Sequence, residues 1–194
     1  MAYELVVIGA SAGGLTAVGE LLSALPQGFT LPIAIVQHRS SSPMEGNLAA
    51  MWQRQTPLPV REAEDKTTML PGHVYVAPAD YHLLVETRGQ LALSTEAPVL
   101  WARPSIDVLF QTASDAYGEH LIGVILTGAS ADGSQGLQAI RMRGGCALVQ
   151  KPASAECDVM PRAALTATAV NHVLDVDELG RVIGALANPY AGTR

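Results

Sequence analysis

The sequence predicts an α/β fold: a doubly wound, mostly parallel sheet flanked by helices, with a small antiparallel hairpin insertion. Three observations lead there. Short runs that are apolar on both faces, Glu4 to Gly9 and Leu31 to Val36, read as fully buried parallel strands. Helical spacing lies between them, through Leu15, Val18, Leu21, Leu22 and Leu25. In the middle of the chain, turn residues break that alternation and then let it resume. A length of 194 residues suits a single domain spanning 1–194.

The elements follow in order. The first strand closes in a glycine cluster and gives way to the first helix. After the second strand, Ser42-Pro43-Met44-Glu45 combines an N-cap serine, a proline at the first helical position and a capping-box glutamate, so a helix is expected from about Pro43 to Arg54. Within it Met44, Met51 and Trp52 fall on helical spacing and read as core. His73 to Ala77, Tyr81 to Glu86 and Leu91 to Leu93 are short strands between turn clusters, expected to form the hairpin insertion. Alternation then returns: a helix from about Ser105 to Ala116, a strand Ile122 to Leu126, a helix from about Ser134 to Arg143 and a strand Ala147 to Gln150. A helix from about Pro161 to Thr168 and a strand near His172 to Leu174 come next. Asp175 to Glu178 form a second capping box, opening a helix Asp177 to Ala187.

Composition excludes several classes. Twelve basic against 18 acidic residues give a net charge of -6, and no basic cluster exceeds the broken pair Arg141 and Arg143, so no nucleic-acid partner is expected. No apolar run approaches the roughly 18 residues of a membrane span, and the N-terminus lacks the basic region of a signal peptide, so a cytoplasmic chain without membrane insertion is expected. Cys146 and Cys157 read as reduced thiols. His73, His82, His120 and His172 have no metal-ligand spacing with them, so no metal site is expected.

Ligands in an open parallel sheet bind beyond the carboxyl ends of its strands, and three residues stand there. Ser11 follows the first strand, His38 the second, and Asp132 lies beyond Ile122 to Leu126. A hydroxyl becomes a nucleophile when a positioned base takes its proton, and an imidazole needs a carboxylate to fix its tautomer; the three supply those parts. Gly9 to Gly13 also matches the G-x-S-x-G elbow, though the order Ser, His, Asp departs from that of α/β-hydrolases. A phosphate cradle is the competing reading, since Gly9, Ser11 and Gly14 imitate G-x-G-x-x-G. Gln37-His38 stands where an acidic ribose ligand belongs, and no P-loop lysine is present.

The segments IGASAGG, VQHRS, PGHVYVAPADYHL, ARPSIDVLF, LTGASADGSQG and VMPRAAL occur in this order. From Val6 to about Leu174 the chain resembles the catalytic domain of the bacterial chemotaxis protein-glutamate methylesterases, the CheB type. The resemblance implies that Ser11 is the nucleophile, His38 the general base and acid, and Asp132 the orienting carboxylate. It implies a substrate that is the γ-methyl ester of a glutamate on a chemoreceptor's cytoplasmic helix, with glutamine deamidation as a second activity and no cofactor. Oxyanion donors are expected at the amides of Ala12 and Ala129, and substrate contacts at Arg39, Arg103 and Met160. His82 is expected to make a structural hydrogen bond. Ala12, Ala129, Ser130 and Val159 depart from the family pattern; a positive φ at position 130 would force that loop to shift. Typical members carry a receiver domain ahead of the catalytic strand, which here begins by Glu4, so the expectation is either an excised or stand-alone esterase domain or regulation by a separate receiver protein as partner. An inactive receptor-interaction module and a nucleotide-binding domain are the alternatives.

Overall fold

The structure, a computed structural model, describes residues 2–38 and 47–188. In chain order the elements are β1 (Leu5–Ala10), α1 (Gly14–Ser23), β2 (Ile33–Gln37), α2 (Leu48–Gln53), β3 (Val60–Glu62), β4 (Val74–Val76), β5 (His82–Thr87) and β6 (Gln90–Ser94). They continue as α3 (Ile106–Tyr117), β7 (Leu121–Ile125), α4 (Ser134–Met142), β8 (Cys146–Gln150), α5 (Val159–Ala167), β9 (His172–Leu174) and α6 (Val176–Ala187). Seven strands form one parallel sheet in the order β3-β4-β2-β1-β7-β8-β9, and β5 and β6 pair as a separate antiparallel hairpin.

Burial on both faces explains the unbroken apolar runs. Every residue of β1, β2, β7 and β8 is buried. Alternate side chains of β1 enter two different cores. Val6, Ile8 and Ala10 pack with α1, α2 and α6, whereas Leu5 and Val7 pack with α3, α4, α5 and the hairpin. β1 pairs with β2 on one side and β7 on the other, so the strand order switches direction there. Helices α1 and α4, which follow β1 and β7, lie on opposite faces, and the crevice they leave at the strand carboxyl ends is where an open α/β sheet binds its ligand.

Three expectations change. Val74–Val76 is not part of the hairpin: it joins the main sheet, parallel to both β2 and β3. A three-residue apolar strand carries no signature of its partner's direction, and burial of all three side chains places it inside a sheet. The edge strand β3 was not expected, because Val60-Arg61-Glu62 is short and mostly exposed. Helix α2 begins at Leu48, and its N-cap is Asn47, whose Oδ1 accepts the Ala50 amide at 3.0 Å. The capping signal Ser42 to Glu45, with Met44, lies outside the described residues. Trp52 is core, fully buried with Nε1 donating to the Leu15 carbonyl at 3.0 Å. The Asp175–Glu178 capping box forms as expected.

Candidate active site

Ser11 sits on the turn between β1 and α1. Gly13 takes φ +77° as the N-cap of α1, a left-handed conformation that glycine adopts without strain, and a Cβ there would stand 2.7 Å from Glu156 Cβ. The Gly14 amide donates to the Ser11 carbonyl at 2.8 Å and closes the turn. β1 and β2 pair in register up to Ala10 and Gln37, so Ser11 and His38 are the next residues on adjacent strands. Their backbones are tied together: the His38 amide donates to Ala10 O at 2.9 Å, and Gln37 Nε2 donates to both Ser11 O at 2.8 Å and His38 O at 2.9 Å.

His38 Nε2 donates to Asp132 Oδ2 at 2.7 Å. A neutral ring with its proton on Nε2 leaves Nδ1 as the acceptor, so Nδ1 is the basic atom of His38. Among the described residues neither Ser11 Oγ nor His38 Nδ1 has a hydrogen-bond partner, and catalytic contacts of this kind commonly tighten only around substrate. Asp132 is fully buried, and its remaining acceptor capacity is filled by the start of α3. Ile106 N donates to Oδ2 at 2.7 Å, while Ser105 Oγ and Asp107 N donate to Oδ1 at 2.9 and 3.0 Å. Burial pushes the Asp132 carboxyl up, but the bond from His38 and the amides of Asp107 and Ile106 outweigh it and hold the group below the ordinary carboxylate value. The positive end of the helix adds to this. Asp107 lies beside it, also buried, with Oδ1 accepting the Gly136 amide at 2.7 Å. Burial first, reinforced by the Asp132 charge against the Gly136 bond, pushes its carboxyl up to about 6.

Two backbone amides flank Ser11. The Ser11 carbonyl is held by Gly14 N and Gln37 Nε2, so in the same trans peptide the Ala12 N–H must point the opposite way. Likewise Gly128 O accepts Met160 N at 2.9 Å and turns the Ala129 N–H outward. Neither amide donates to another group among the described residues. The two loops touch, since Ser11 N donates to Thr127 O at 2.9 Å and a Cβ on Gly128 would stand 2.9 Å from Ser11 Cβ. Thr127 Oγ1 locks them further, donating to Ala12 O at 2.8 Å and accepting the Cys157 amide at 2.9 Å.

The structure therefore brings together Ser11, His38, Asp132, Ala12, Ala129 and Met160, whose Sδ lies 2.8 Å from where a Gly128 Cβ would stand. Met160 is 1% exposed, so it shapes the floor under Ser11 from within the core. Arg39 lies outside the described residues. Arg103 is committed to its own loop, with Nη1 donating to Thr95 O at 3.0 Å and Glu96 O at 3.1 Å. Ser130 is not among the positive-φ residues and needs no shift; its Oγ accepts the Asp132 amide at 3.0 Å. His82 accepts the Ser105 amide at Nδ1 and bonds Ala97 O through Nε2, both at 3.1 Å, the structural role expected of it. Reading the sequence missed Ser105, Gln37 and Thr127. A serine after proline at the head of the amphipathic run Ile106 to Phe110 marked Ser105 as an N-cap; nothing marked the other two.

A cleft beside the elbow is lined by Gly13, Thr16, Glu20, Gln150, Glu156 and Asp175 among others, with no lysine or arginine. Its carboxylates repel phosphate, which argues against the nucleotide cradle. Among the described residues no helix is long and apolar enough to cross a membrane, and no three His, Cys, Asp or Glu side chains converge as a metal site.

A doubly wound sheet that sets a serine elbow beside a partly exposed histidine hydrogen-bonded to a buried aspartate defines an α/β domain of hydrolase type. The CheB methylesterase family model matches residues 6–183, and the chain belongs to that family. It is 46% identical over 182 residues to a putative protein-glutamate methylesterase/protein-glutamine glutaminase of Leptospira interrogans, covering 94% of each chain. It is 42% identical to the protein-glutamate methylesterase FrzG of Myxococcus xanthus, covering 93% of this chain and 54% of that one. The crystal structure of the Thermotoga maritima CheB methylesterase catalytic domain superposes with a TM-score of 0.89 at 30% identity, covering 96% of this chain and all of that one.

Proposed function

We propose that this chain is a serine esterase that hydrolyses glutamate γ-methyl esters on chemoreceptor helices, releases methanol, and deamidates receptor glutamines by the same route. The observation that carries the reading is the bond from His38 Nε2 to Asp132, which leaves Nδ1 as a base on the strand next to Ser11. Ser11 Oγ attacks the ester carbonyl carbon as His38 Nδ1 takes its proton, and the buried Asp132 charge stabilises the imidazolium. The tetrahedral oxyanion is met by the Ala12 and Ala129 N–H groups, donors of a kind that elsewhere contribute about 3 to 4 kcal/mol each. Collapse breaks the bond to the methoxy oxygen, which leaves with the proton from His38 as methanol. Water, deprotonated by Nδ1, then attacks the acyl-enzyme and releases the glutamate carboxylate and Ser11. With a glutamine the leaving group is ammonia.

Methanol release from methylated receptor preparations tests this. Ser11→Ala is expected to lower the rate by at least about a thousandfold, and a fluorophosphonate is expected to label Ser11 in the wild type. Unchanged methanol release in Ser11→Ala, or folded wild-type protein that binds receptor without releasing methanol, overturns the reading; the second result describes an inactive interaction module.

A further inference from the structure

Between β6 and α3 the chain makes a two-residue reversal. Val99 and Ala102 exchange backbone hydrogen bonds, 3.1 Å from Val99 N and 2.8 Å from Ala102 N, and enclose Leu100 and Trp101 at φ +47° and +66°. Turns with both central residues at positive φ are normally built from asparagine and glycine, because a side chain there crowds its own backbone. Here the positions hold two large apolar residues. Trp101 is 99% exposed and Leu100 55%, so neither is there for the core. An unfavourable backbone that presents an exposed indole is a combination that folding alone does not favour.

Hydrogen bonds tie the segment that carries the tip to the candidate site. Arg103 straps the Thr95 and Glu96 carbonyls, and His82 grips Ala97 on one side of the tip and Ser105 on the other. Ser105 Oγ bonds Asp132. Ser105 is four chain steps from Trp101, so their Cα atoms lie within about 14 Å, less than three turns of an α-helix. Two other exposed apolar side chains lie on elements that border the site: Leu15 in the first turn of α1, and Val159 beside Met160. The chain carries a net charge of -6, so Coulomb attraction does not draw an acidic helix to it, and apolar contact has to supply the docking.

We infer that Leu100 and Trp101 form a specificity contact for the protein substrate, gripping an apolar side chain on the amphipathic helix that carries the esterified glutamate. This rests on the esterase reading of Ser11. The tip touches the partner and no reacting atom, so its loss weakens binding and leaves the chemistry intact.

Steady-state methanol release from a soluble, methylated, helical receptor fragment is compared for wild type, Trp101→Ala and Trp101→Phe. The rate of fluorophosphonate labelling at Ser11 reports the intact site, and sedimentation reports self-association. Trp101→Ala is expected to raise KM about tenfold or more with kcat within about twofold and labelling unchanged, and Trp101→Phe to recover most of the loss. A wild-type KM in Trp101→Ala overturns the inference, as does an equal fall in labelling, which would make Trp101 a prop for the site. A dimer that Trp101→Ala dissociates with KM unchanged also overturns it, the occupant then being a second copy of the chain. Failure of the esterase reading is seen separately, as equal methanol release from wild type and Ser11→Ala.

Discussion

Asp132→Asn keeps the shape of the buried side chain and replaces one acceptor oxygen by a donor. Oδ2 accepts at 2.7 Å from both His38 Nε2 and Ile106 N, and Oδ1 accepts from Ser105 Oγ at 2.9 Å and Asp107 N at 3.0 Å. With the amide nitrogen in the Oδ2 place, His38 has to accept at Nε2, which moves its proton to Nδ1 and blocks the base. With the nitrogen in the Oδ1 place the tautomer survives, but the imidazolium that forms during the reaction faces a neutral amide. Either orientation aims an N–H at a backbone N–H and orphans it, at a cost of about 1–3 kcal/mol. Relief of repulsion with Asp107 offsets part of that. Loss of the orienting carboxylate in a Ser-His-Asp site lowers kcat by about ten-thousandfold, or about 5.5 kcal/mol.

The expected outcome for Asp132→Asn is therefore a fall of about a thousand- to ten-thousandfold in kcat/KM for methanol release, with a melting temperature lowered by only about 2 to 10 °C. Circular dichroism and a thermal melt establish that the variant folds; methanol release and fluorophosphonate labelling then read the site. A folded variant retaining more than about a tenth of wild-type activity would refute the assignment of Asp132 as the group that sets the His38 tautomer.

Asp107→Asn tests the second buried carboxyl. Its folded value, about 6, lies above the ordinary value of 3.8, so between those pH values the folded state holds a proton that the unfolded state has lost. This contribution to stability is complete below about pH 4 and lost as pH rises through about 6, so the urea midpoint of the wild type should fall between about pH 4 and 6 and that slope should flatten in the variant; an unchanged slope excludes Asp107 as its source. Gly128→Ala inserts a Cβ 2.7 Å from Met160 Cε and 2.9 Å from Ser11 Cβ. The methionine can swing aside but the serine cannot, so a stability cost of about 1–3 kcal/mol and a drop of at least about tenfold in Ser11 labelling are expected, and labelling at the wild-type rate would show that the loop relaxes freely.

The central strands were legible because burial on both faces writes itself into the residues: six buried positions in Leu5–Ala10 and five in Ile33–Gln37 are apolar but for Gly9 and Gln37. Strand ends then located Ser11, His38 and Asp132 without any knowledge of their contacts. What stayed hidden is carried by backbone rather than side chains. Three donors hold Asp132 besides His38, and two of them are the amides of Ile106 and Asp107, which every non-proline residue has. The direction of the Ala12 N–H depends on a bond from Gln37 that no spacing rule announces. Partner choice for Val74–Val76 depends on where β2 lies, and Arg103 looked available for substrate until its loop closed beneath it.

Asp132 also explains why a distant segment belongs to the site. A carboxylate with no exposed surface stays ionised only if nearby donors replace water. His38 supplies one bond and the start of α3 supplies three, so three of the four bonds to the carboxylate do not depend on the His38 ring. The imidazole can therefore gain and lose a proton at Nδ1 beside a counter-charge held by other groups. The segment that ends in those donors begins with the Leu100–Trp101 turn, and His82 clamps the two together. One short stretch of chain thus anchors the charge that orients His38 and presents the apolar tip proposed to seat the substrate helix. The position of that tip relative to the reacting atoms is set by the same bonds that hold the carboxylate.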